Sequence, residues 1–177
     1  MTMVLKPQDV LVLLKLVAVG SRHQSFADLA MSLHMSPSEV HAGLHRAQAA
    51  RLYAEVTRQP IKENLLEFLV HGVKYAFPAE TGGRRRGMAT AYGAEPLKAH
   101  LEVGDEPLLP VWPVTDGAIA GLSFSPLYRS VPFAASNDPT LYELLCLVDA
   151  IRSGRVREQR IASELLSNRI GVGGKTT

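Results

Sequence analysis

A single cysteine, Cys146, stands in this chain of 177 residues. An intramolecular disulfide framework and a cysteine-only zinc site are therefore excluded. Cys146 lies in an apolar run, where a thiol reads as a small buried hydrophobe. A strong excess of charge is missing too. Nineteen Lys and Arg against seventeen Asp and Glu leave a formal net charge of +2. Strongly basic nucleic-acid binders show more, so an electrostatic case has to rest on local distribution. No apolar run is long enough to span a bilayer. The nearest, Val10 to Val19, is interrupted by Lys15 and preceded by Asp9. Its residues Val10, Leu13, Leu14 and Val17 recur at helical spacing, which reads as a cytoplasmic first helix with no membrane partner.

Local catalytic sets are lacking as well. No Ser/His/Asp or Cys/His group forms in the sequence, and Glu95, Glu102, Asp105 and Glu106 fall in a turn-rich surface stretch. The terminal Gly171 to Thr177 imitates a phosphate-binding loop. Arg169, however, stands where that pattern needs its first glycine, and no strand precedes it. Nothing here argues for an enzyme or a cofactor.

What is present is helical punctuation. Pro7 opens a first helix and Gly20 stops it. Ser25 caps a short second helix with Phe26, Leu29, Ala30 and Leu33 at helical spacing. After His34 and Met35, Ser36-Pro37-Ser38-Glu39 supplies an N-cap, a proline at the first helical position and a capping-box glutamate. Two short helices joined by a tight turn read as a helix-turn-helix. Ala30 allows close approach, His34 takes the turn position that needs a left-handed backbone, and Val40 closes the mini-core. A fourth helix is expected from about Ile61 to His71.

This stretch, Phe26 to Tyr53, resembles the winged helix-turn-helix regulators of the MarR type. Their second helix begins Ser-rich, continues through Val and Leu, and exits at Gly-Leu. The corresponding residues here are Ser36, Val40, Leu44 and Ala50-Arg51-Leu52. His34 and Arg51 stand where the family favours glycine, and nothing after Tyr53 reads as a hairpin wing. The resemblance covers the first third of the chain. It implies double-stranded DNA as partner, with the outward residues of the second helix in the major groove.

Those outward residues are Ser36, Ser38, His41, Ala42 and His45, with Arg46 beside them. Ser and His can read base edges, Ala a thymine methyl, and Arg a guanine or a phosphate. His41 and His45, one turn apart, also have a metal-ligand spacing, but no third ligand is evident and no metal is expected. Arg84, Arg85 and Arg86, flanked by glycines, form a second basic cluster, expected on a flexible support gripping phosphates.

Residues 76–138 hold seven of the eleven prolines and half of the fourteen glycines. Long helices and interior strands are unexpected there, so the segment reads as an irregular arm, kept ordered by its aromatics. Asp138 then caps a helix carrying the stripe Leu141, Leu144, Leu145, Val148 and Ile151, and another helix follows from Val156 to Ile170. The expected architecture is mainly α. Residues 1–75 form a (winged) helix-turn-helix domain, 76–138 the arm, 139–170 a dimerisation region using the stripe, and 171–177 a mobile tail. The expected function is a homodimeric transcription regulator. The alternatives are an antitoxin or adaptor that binds a protein partner through arm and C-terminal helices, and, more weakly, a sensor with an effector pocket beneath Trp112.

Overall fold

The computed structural model describes residues 3–102 and 108–172. Among them are eight α-helices and five short strands. The helices are α1 Pro7–Val19, α2 Phe26–Leu33, α3 Pro37–Ala49, α4 Lys62–His71, α5 Val73–Ala76, α6 Val131–Ser136, α7 Pro139–Ser153 and α8 Val156–Ile170. The strands are β1 Tyr53–Ala54, β2 Gln59–Pro60, β3 Thr81–Ala89, β4 Pro110–Pro113 and β5 Ile119–Phe124.

The capping expected from sequence is realised. Ser25 and Ser36 each close a capping box, with Asp28 and Glu39 as the returning carboxylates. His34 adopts φ 52° at the turn and Arg51 φ 61° after α3, both left-handed. Each forgoes the easier glycine at a cost of about 1–2 kcal/mol. A hairpin does follow α3. Tyr53 and Ala54 pair antiparallel with Pro60 and Gln59, a ladder of two residue pairs too short to show as periodicity.

Two helices are buried nearly all round. In α1, Val10 to Leu14 have no exposed surface, and α7 buries Leu141 and the whole run Leu144 to Arg152. Helix α7 packs on α1, α4, α5, α6 and α8 and is the axis of the core. Helix α1 joins it to the helix pair through its only two charged residues. Arg46 of α3 donates from Nε and Nη2 to both carboxylate oxygens of Asp9, at 2.8 and 2.7 Å. Lys15 donates to Asp138, the N-cap of α7, at 2.7 Å.

The stripe Leu141, Leu144, Leu145, Val148 and Ile151 is therefore not a dimer surface. Each residue is at most 1% exposed within a single chain. The long apolar stripe needs no second subunit, because α1, α8 and the sheet region cover it.

The irregular arm is also corrected. Strand β3 pairs antiparallel with β4 through residues 87–89 and with β5 through residues 81–87, while β4 and β5 run parallel. The three strands close on themselves. The glycines that suggested irregularity are what this closure requires. A Cβ on Gly87 would lie 2.0 Å from the Trp112 carbonyl oxygen, and one on Gly121 would lie 2.1 Å from that of Leu109. Only a residue without a side chain lets these backbones meet.

A buried polar cluster ties the sheet to α7. Asp149 accepts from Thr90 Oγ1 and Trp112 Nε1, each at 2.7 Å, and from Arg152 at 2.8 Å. Arg152 also donates to the carbonyls of Phe77 and Ser125. Cys146 is fully buried beside this cluster, as expected of a small hydrophobe. Gly171 ends α8 in a left-handed conformation and Val172 packs against the core, while the rest of the expected tail lies outside the described residues. So do Asp105 and Glu106.

Candidate nucleic-acid interface

Helix α3 is held on its inner side and leaves its outer side open. Its inner side buries Val40, Gly43, Leu44 and Ala47 against α1 and α2. Space there is tight, since a Cβ on Gly43 would come within 2.9 Å of Asp9 Oδ1. Its outer side presents Ser36, Ser38, His41 and His45 to solvent, with Ala42 half-buried among them. Ser36 also spends its hydroxyl on the Glu39 amide as N-cap. The His41 and His45 rings lie 4.8 Å apart. Among the described residues they belong to no group of three or more metal-ligating side chains.

Arg46 departs from expectation. Its guanidinium is turned inward onto the fully buried Asp9 carboxylate, which raises its pKa through that hydrogen bond. A buried acid on a neighbouring helix outcompetes the groove-facing role that helical spacing alone allows.

Both ends of α3 are braced by residues that the sequence reading missed. At the N-terminal end, Tyr128 donates to Glu39 Oε1 at 2.9 Å. The Ser36 amide first, and then the Tyr128 hydroxyl, hold the Glu39 carboxyl below its ordinary value. Arg129 lies over the Tyr128 ring, 5.3 Å from its centroid. The Phe133 ring meets His34 edge-on at 4.8 Å, so α6 buttresses the turn. At the other end, Gln48 donates to Glu55 of the hairpin at 3.1 Å. The hairpin's Arg58 stacks over Phe26 at 5.1 Å and donates to His23 at 3.2 Å, and Phe26 in turn meets His41 edge-on. Exposed cations, Arg58 and Arg129, thus flank the outer face of α3. Neither follows a local motif. Arg58 needs the hairpin, and Arg129 needs its neighbour Tyr128 to reach Glu39 across 89 residues.

Arg84, Arg85 and Arg86 sit on strand β3 and not on a flexible loop. All three are exposed, and Arg86 donates to the carbonyls of Gly117 and Ala118. Strand β3 packs chiefly on β4 and β5, so the cluster is not built into the α3 face. Trp112 is fully buried on Asp149. A recess of about 530 Å³ opens beside Phe133 and Tyr142. No described helix is long and apolar enough to cross a membrane. No protein-family model, curated protein or solved structure matches this chain.

Proposed function

We propose that this protein is a sequence-specific DNA-binding transcription regulator of the cytoplasm, working as a homodimer, with α3 as its reading helix. One observation carries the reading. Helix α3 is locked from behind by Asp9 and Arg46 and braced at both ends, yet Ser38, His41 and His45 on its outer face stay exposed, with His41 met by the edge of Phe26. Rigidity without cover suits a surface that meets a preformed groove. The serine and histidines would contact base edges and Ala42 a thymine methyl, while Arg58 on the hairpin and Arg129 at the helix start would take phosphates. Arg84, Arg85 and Arg86 would contact phosphate only where DNA bends toward the sheet.

The test is binding of the full chain to DNA selected from a random pool. His41→Ala with His45→Ala should lower specific affinity by about 10-fold or more per base contact while leaving the melting temperature in place. Arg58→Gln should weaken binding to all sequences and lower the log–log salt slope by about 0.9. Wild-type protein that enriches no sequence and shows no salt-dependent affinity would overturn the reading. The carboxylates Glu39 and Glu55 near the same face would then favour a protein partner, as in an antitoxin or adaptor.

A further inference from the structure

A second surface stands out in a groove of about 810 Å³ between α4 and α8. Half-buried Leu66 and Val70 lie in it, with Glu63, Glu67 and Glu164 around them. Toward the helix start, the same face of α8 continues with Val156, Arg157 and Arg160. At 100° per residue these share a side with Ser163, Glu164 and Ser167. Val156 is 83% exposed, and Arg157 and Arg160 are exposed too. Neither arginine nor any of the three glutamates has an ion-pair partner among the described residues.

The placement of Arg157 is unfavourable for an isolated chain, because a cation in the first turn of a helix opposes its dipole. Arg157 and Arg160 lie toward the start of α8, while Glu164 follows on the same face and Glu63 and Glu67 stand across the groove on α4. Charge separated in this way along one face matches itself after a half-turn.

We infer that this face is where two copies of the chain meet, with their α8 helices antiparallel about a two-fold axis between Arg160 and Glu164. Arg160 of each copy then faces the partner's Glu164. Arg157 lies over the end of the partner's groove, where the partner's Glu63 and the partner's Glu67 converge, and Val156 helps to close the apolar floor. Such an interface is isologous, using the same patch twice. Its contacts are largely charged, so it belongs to the smaller, dissociable class and weakens as salt screens it. The inference rests on the two-copy reading above and replaces the buried stripe of α7 with a surface that is open.

Sedimentation velocity of the full chain tests it without DNA. Wild-type protein at about 100 µM should be a dimer in low salt and dissociate at least 10-fold more readily near 0.5 M salt. Arg157→Glu with Arg160→Glu should give a monomer, and so should Glu67→Arg with Glu164→Arg. All four positions are exposed or line an open groove, so the melting temperature of each variant checks that it folds. Mixing the two variants should restore a heterodimer through the swapped charges. A dimer that survives either reversal, or a mixture that stays monomeric, would overturn this interface while leaving the two-copy reading intact. A wild-type monomer at that concentration would overturn both. Loss of DNA selection in a protein that still dimerises would count against the DNA reading alone.

Discussion

Residues 7–60 and residues 77–136 are organised by different kinds of contact. In the first, each helix carries its own start signal within four residues of sequence: Pro7, the Ser25–Asp28 box and the Ser36–Glu39 box. In the second, order comes from partners far along the chain. Thr90 and Trp112 find Asp149, Arg152 finds Phe77 and Ser125, and Gly87 meets Trp112. Local capping makes an element legible before it packs. Cross-chain closure leaves only its requirements visible, namely glycines without an evident turn and prolines at strand ends. Such a segment reads as irregular when its regularity lies in the pairing.

The contrast is broken most severely at Asp149. Asp149→Asn would keep the volume but leave the buried Arg152 guanidinium without its counter-charge, a loss of about 3–5 kcal/mol. The only tryptophan donates to this carboxylate, so emission from Trp112 should shift even where the fold survives. Calorimetry together with tryptophan fluorescence checks both. A change below 1 kcal/mol would show that the distant cluster does not organise the sheet region.

A middle-sized effect is expected where the two regimes meet, at Asp138. This residue caps α7 locally and also accepts from Lys15 across 123 residues of sequence. Asp138→Asn keeps a good cap and removes only the charge, at a cost of about 1.5–3 kcal/mol. Burial pulls the Asp138 carboxyl upward, but Lys15 and the Leu141 amide outweigh it and hold the group below its ordinary value of 3.8. A depressed acid contributes stability above its unfolded value and loses it as pH falls through the folded one. The difference between wild type and Asp138→Asn should therefore be full at neutral pH and shrink below about pH 4. Denaturant melts at several pH values read this directly, and a difference independent of pH would assign Asp138 to capping alone.

The smallest effect belongs to the local regime. Ser36→Ala removes one cap and should cost about 1 kcal/mol. Thermal unfolding should show this loss while Trp112 emission stays unchanged. A larger loss, or a Trp112 response, would mean that the helix pair is coupled to the sheet more tightly than its local signals imply.

The sequence by itself determined where the long helices begin and end, from α1 to α8, because caps, prolines and 3.6-residue periodicity act within one or two turns. It also determined the outward positions of α3, since Val40, Leu44 and Ala47 had to face inward. What it left open was decided by tertiary structure. Arg46 could face DNA or protein by spacing alone, and only the nearby buried Asp9 turns it inward. The α7 stripe could meet a second subunit or its own chain, and only the closure of α1, α8 and the sheet buries it. Arg84 to Arg86 could ride a loop or a strand, and pairing with β5 across some 35 residues makes them a strand. In each case the deciding partner lies far off in sequence, where neither periodicity nor capping can reach.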